Sequence, residues 1–193
     1  MLPQPEEAPR RYFSLEEYFA LEKVEEVRYE YWDGDIVCMN GVPKEHADVT
    51  RNVFFYLRTA IGDGNRTFGN LIPLKTPSLP PYRYPDAMVM NEQPNFEKIS
   101  GIDVVTNPTL VVEVMSPHTE WRDRTIKKFA YQELPSVQQC LLIWQHLPHL
   151  TLFTRVGDVW QRQDFADLQG SISLVSINCE LALRDIYENV EFD

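Results

Sequence analysis

Two periods of apolar and polar residues alternate along this chain, and the places where one gives way to the other mark its elements. Ser14 followed by Glu17 has the spacing of a capping box, which predicts a short helix over LEEYFALE. VRYEYWDGDIVCMN is two alternating runs about Asp33-Gly34, a hairpin signal. From Lys44 to Ile61 the period changes: Val49, Val53, Leu57 and Ile61 recur at helical spacing, with Gly62 as a natural stop. A Pro-rich segment leads into a short strand, DAMVM, opened by Asp86, and residues 91–108 read as a polar loop. LVVEVM, Leu110 to Met115, is the next strand. A helix follows over about 120–134, with Ile126, Phe129 and Ala130 on its apolar side and Pro135 closing it. QCLLIW is a further apolar strand, LTLFTR and DVWQRQ form a second hairpin, and a last turn of helix falls near LRDIYENV.

Helix, strand, strand, helix, strand with hairpins at both ends predicts an α/β (α+β) fold, a mixed central sheet flanked by helices. Residues 1–11, Pro-rich and charged, are expected to be a loose arm, and 12–193 a single domain. The regular alternation of a doubly wound nucleotide binder is missing, as are GxGxxG and GK[ST] motifs.

One residue breaks the pattern. The period of two sets Val111, Glu113 and Met115 on one face of LVVEVM, so a carboxylate stands in an otherwise apolar strand. Such a group is protonated, paired with a cation, or held at a strand end where it reaches solvent. Asp86 offers a second acid. Taken alone, an Asp after a Pro reads as a turn residue. If the two strands are neighbours, both carboxylates converge at one end of the sheet, where a divalent cation relieves their repulsion; oxygen ligands suit Mg²⁺ or Mn²⁺. Cations follow at Arg122, Arg124, Lys127 and Lys128. Asp123, Lys127 and Tyr131 lie at i, i+4 and i+8 and share a face, so Lys127 can reach back toward Glu113. The alternative is a surface Asp123–Lys127 pair worth a few tenths of a kcal/mol.

Taken in order, these motifs resemble the PD-(D/E)xK superfamily of restriction-endonuclease-like proteins, and within it the Uma-type family. The matching residues are FSLEEY at 13–18, RYEYWDGDIV at 28–37, His46 on the following helix and YPDAMVM at 84–90. Then come LVVEVMSP with Thr119, the set Asp123, Lys127 and Tyr131, and CLLIW. The resemblance implies a metal-dependent endonuclease that hydrolyses DNA. Asp86 and Glu113 would hold Mg or Mn, Lys127 would assist, and Glu30 and His46 would stand at the site's edge. In the superfamily's usual pattern the lysine lies two residues beyond the acid. Met115 occupies that position here, and the family likeness places the lysine on the next helix. Arg122 and Arg124 would contact flanking phosphates.

Composition then limits the partners. Hydrophobic residues make up 44% of the chain and aromatic residues 12%, which is enough for a packed core. A net charge of −11 repels polyphosphate at long range, so DNA binding would have to rest on a local basic patch. Cys38, Cys140 and Cys179 are an odd number without CxxC spacing, as expected for a reducing compartment. With no apolar leader and no membrane-length run, the protein is expected to be cytoplasmic. A homodimer would suit an enzyme that cuts two strands. The competing reading is a non-catalytic nucleic-acid- or protein-binding module on the same fold; a third is hydrolysis of another phosphoester.

Overall fold

The computed structural model describes residues 12–24, 28–39, 41–61, 66–117 and 120–192. The expected arm at 1–11, Gly62 and Thr119 lie outside the described residues. The chain forms two compact units, Met1–Gly41 and Val42–Asp193.

In the first unit, α1 (Leu15–Val24) begins with the reciprocal bonds that its sequence announces. The Ser14 N–H donates to Glu17 Oε2 at 2.8 Å, and the Glu17 N–H donates to Ser14 Oγ at 3.2 Å. Strands β1 (Tyr29–Trp32) and β2 (Asp35–Cys38) pair antiparallel through Asp33-Gly34. Both turn residues have positive φ, 47° and 92°, as a tight hairpin turn demands. A Cβ at Gly34 would also lie 2.7 Å from the Tyr12 ring, so the position requires glycine.

The second unit opens with α2 (Lys44–Ala60), followed by β3 (Arg66–Gly69), β4 (Leu74–Lys75), β5 (Tyr82–Arg83), β6 (Ala87–Met90), β7 (Phe96–Ile99), β8 (Ile102–Val105) and β9 (Leu110–Met115). A helical segment comes next: α3 (Glu120–Arg122), a π-helical turn over Asp123–Lys127, and α4 (Lys128–Gln132). The chain finishes with β10 (Gln139–Trp144), β11 (Leu150–Val156), β12 (Val159–Phe165), β13 (Ser171–Leu174), β14 (Cys179–Ala182) and α5 (Leu183–Ile186).

Six strands form the central mixed sheet in the order β12-β11-β10-β9-β6-β3. Its parallel pair is β9 and β10, joined by the helical segment, and the remaining neighbours run antiparallel. One face carries Ala87, Val89, Val112, Val114, Leu141 and Ile143, packed with Val49, Val53 and Leu57 of α2. Each of those α2 side chains, fully buried, stabilises the fold by about 1.5–3 kcal/mol. Met88, Val111, Cys140 and Tyr131 pack together on the opposite face. The expected mixed sheet with flanking helices is therefore the architecture observed.

Three expectations are corrected. Residues 91–108 are not only loop: β7 and β8 pair there and, with β4 and β5, form a second sheet of four strands. Its strands are short and their polar side chains lie outward, so no apolar alternation betrays them. Ile126 and Phe129 are not the buried side of the helical segment; they are exposed, while Asp123, Lys127, Ala130 and Tyr131 are buried. The helix thus turns a partly charged face inward, against the usual rule. Asp86 lies just ahead of β6 rather than within it. Among the described residues no helix is long and apolar enough to cross a membrane.

Candidate active site

Register places the two acids side by side. β6 and β9 pair Ala87 with Val112, so one step further Asp86 stands opposite Glu113 at the end of the ladder. Asp86 is tied there by the Val114 N–H, which donates to its Oδ2 at 2.7 Å. Its Oδ1 meets His46 Nε2, in the first turn of α2, at 3.3 Å. Burial pulls the His46 imidazole down. The bond to Asp86, that carboxylate's charge, the neighbouring Gln145 and the charge of Asp123 together outweigh it, and its pKa stands above the ordinary histidine value.

Glu113 is 2% exposed and faces the helical segment. Tyr131 Oη donates to its Oε1 at 2.6 Å, and Lys127 Nζ lies 3.3 Å from its Oε2. The same ammonium lies 3.2 Å from Asp123 Oδ1, with Lys127 5% exposed and Asp123 2%. This is no surface pair: Lys127 is clamped between two buried carboxylates. The π-helical turn spans Asp123 to Lys127, and such turns often sit at functional sites.

The cluster therefore comprises His46, Asp86, Glu113, Asp123, Lys127 and Tyr131, all from the second unit, with Gln145 beside it. The Glu113 and Lys127 of the sequence reading are in contact, Asp86 adjoins them, and His46 reaches Asp86. Glu30 lies half-buried on β1 in the first unit, paired in register with Val37. Arg122 is half-buried on α3; Arg124 is exposed and pairs with Glu120 at 2.8 Å. Gln145 was missed, because the β9–β10 pairing that it follows by one residue is invisible in a one-dimensional pattern; its N–H donates to the Met115 carbonyl at 3.2 Å.

The donor set suits a hard divalent cation. Asp86, Glu113 and Asp123 are buried carboxylates balanced by Lys127 and a histidine, and Gln145 Oε1 is buried without a hydrogen bond of ordinary geometry. Among the described residues no group of three or more His, Cys, Asp or Glu side chains is arranged to hold a metal. Mg²⁺ asks for less, since it is commonly held by one or two carboxylates and keeps several waters.

Comparison with known proteins bears on the fold and the family. A solved structure from Anabaena variabilis ATCC 29413, described as a "putative nuclease belonging to DUF820", superposes with a TM-score of 0.69 at 16% identity, over 91% of this chain and 97% of that one. Two relatives in Synechocystis sp. (strain ATCC 27184 / PCC 6803 / Kazusa) carry the names "Uncharacterized protein" sll1609 and slr1290. The first is 31% identical over 78% of this chain and 85% of its own length, the second 28% identical over the full length of both. Residues 15–184 match the model of the Uma2 family, described as "Putative restriction endonuclease". A match over that much of its length shows that the chain belongs to the Uma2 family.

Proposed function

We propose that this protein is a metal-dependent endonuclease that hydrolyses DNA phosphodiester bonds, with Asp86 and Glu113 as the metal ligands and Lys127 as the assisting cation. The observation that carries the reading is the position of Lys127, buried between Glu113 and Asp123 beside Asp86. A lysine is kept there by its partners even though Met115 takes the strand position usual for it.

A bound Mg²⁺ or Mn²⁺ would polarise the phosphoryl oxygen and make a bound water more acidic. The chain's own groups do the rest. The Val114 N–H and His46 orient the Asp86 carboxylate, and Tyr131 orients that of Glu113. The Lys127 ammonium, fixed in advance, stabilises the negative charge that grows on the phosphoryl oxygens as the water oxygen bonds to phosphorus and the P–O ester bond breaks. The water's proton leaves to solvent, and the departing oxygen takes one from it.

Supercoiled plasmid incubated with Mn²⁺ or Mg²⁺ provides the test. The wild type is expected to nick it and Glu113→Ala is not; equal cleavage by both ends the proposal. Calorimetric titration with Mn²⁺ checks the ligands: binding by Asp86→Ala as tight as by the wild type would remove Asp86 from the site. The second reading, a binding module without catalysis, draws on the closure of Lys127 against both acids and on the lack of a three-ligand group among the described residues. A nicked plasmid disposes of it.

A further inference from the structure

A second cluster, unused by the chemistry above, lies on the same face of the sheet as Glu113. Register runs from Glu113 to Leu142 on β10 and from Leu142 to Thr151 on β11. Leu142 and Thr151 line a cleft of about 510 Å³ that the helical segment borders with Trp121, Arg124 and Lys128. Trp144, Phe153 and Arg162 also line it. Adjacent strands are roughly 4.8 Å apart, so the cleft begins one strand away from the acid cluster.

Its chemistry is cationic and aromatic in a chain whose net charge is −11. Arg124 lies 5.6 Å from the centre of the Trp144 ring, and Lys128 Nζ lies 3.9 Å and 4.8 Å from the Phe129 and Phe153 rings. Arg124 is paired with Glu120 and Arg162 with Asp164, in the latter case through two bonds of 2.9 Å. Lys128 has no carboxylate within ion-pair distance among the described residues. Burial, with Arg162 and Arg124 adding their repulsion, holds its ammonium below the ordinary lysine pKa. Of the cleft's lining, Arg124, Lys128 and Arg162 are cationic and Glu120 alone is anionic. Trp121, also in the lining, is 67% exposed. An ammonium set among rings and two arginines, with no carboxylate in ion-pair distance among the described residues, is relieved by an anion, and the rings beside it take a planar base.

We propose that this cleft is a nucleotide seat: Lys128 and Arg162 take a phosphate, and Trp121 stacks on the adjoining base. Its place one strand from Glu113 makes it the subsite for single-stranded substrate beside the cleaved bond, a role that rests on the nuclease reading. The seat itself does not.

Fluorescence anisotropy of a labelled oligothymidylate, in EDTA and at low salt, tests it on the full chain with no cleavage to confuse the signal. Lys128→Gln is expected to weaken binding about fivefold and Trp121→Ala about tenfold. Lys98→Gln, on the exposed β7–β8 hairpin, should bind as the wild type does. Both cleft residues are at least partly exposed, so the variants should fold, and thermal melts confirm it. Competition separates the two sources of the same chemistry: dTMP that displaces the oligonucleotide at similar concentration identifies a free nucleotide as the ligand, and a much weaker dTMP identifies the strand. Wild type that does not bind, or cleft variants that bind equally well, overturn the proposal. Binding through Lys128 and Trp121 without plasmid nicking keeps the seat and sinks the nuclease reading; nicking with binding unaltered in the variants does the reverse.

Discussion

β9 and β10 lie side by side, parallel, each six residues long and buried at every position. LVVEVM and QCLLIW share a sheet and an environment, yet the register sets Glu113 directly beside Leu142. One strand fills that position with a hydrocarbon, the other with a carboxylate that needs Lys127 and Tyr131 to be tolerated. Stability alone would favour the leucine, because buried ion pairs rarely outdo well-packed apolar side chains. The difference between the strands therefore marks where the fold gives up apolar packing for a buried, paired carboxylate.

Making β9 resemble β10 has the largest expected effect. Glu113→Leu should lower plasmid nicking by at least about a thousandfold. It should still fold: Lys127 keeps Asp123, and the loss of an acceptor for the Tyr131 hydroxyl costs about 1–3 kcal/mol. Chemical denaturation and the nicking assay read the two quantities separately, and an active Glu113→Leu would erase the contrast between the strands. Lys127→Leu should be the more damaging to stability. It leaves Glu113 and Asp123 buried without their cation, at a cost of about 3–5 kcal/mol, part of which Mn²⁺ should restore as a rise in Tm. A Lys127→Leu protein as stable as the wild type would mean that the carboxylates carry no buried charge.

On β10 the matching substitution removes packing and no charge. Leu142→Ala should cost about 2–5 kcal/mol, and added Mn²⁺ should leave that deficit unchanged in denaturation curves. The smallest effect belongs to Cys140. Burial pushes its thiol up to about 12. A thiol of raised pKa contributes stability that is fully present below the unfolded value near 9 and is lost as the pH climbs toward about 12. Between pH 8 and 10 the wild type should lose up to about 1.4 kcal/mol relative to Cys140→Ala. In the native protein an alkylating reagent should label exposed Cys38 and spare Cys140.

Legibility followed locality. The capping box of Ser14 and Glu17, the Asp33-Gly34 turn, the α2 stripe and the bounds of LVVEVM and QCLLIW were readable because each rests on neighbours within a few residues. The face shared by Asp123, Lys127 and Tyr131 was readable for the same reason, and it led to the acid–lysine contact. What escaped depended on distant partners: the small sheet of β4, β5, β7 and β8, edge strand β3 and the β13–β14 hairpin are short and owe their form to pairing. The outward turn of Ile126 and Phe129 escaped as well, since hydrophobicity alone favours burying them.

The amino-acid sequence by itself determined which side chains exist to do chemistry and on which local faces they lie, because period and turn chemistry are properties of a few consecutive residues. Only the tertiary structure decided that Asp86 stands opposite Glu113, that Lys127 is clamped rather than solvated, and that Lys128 faces rings and cations. Each of those depends on strand register and on which side of a helix meets the sheet, and both are settled by the packing of segments far apart in the chain.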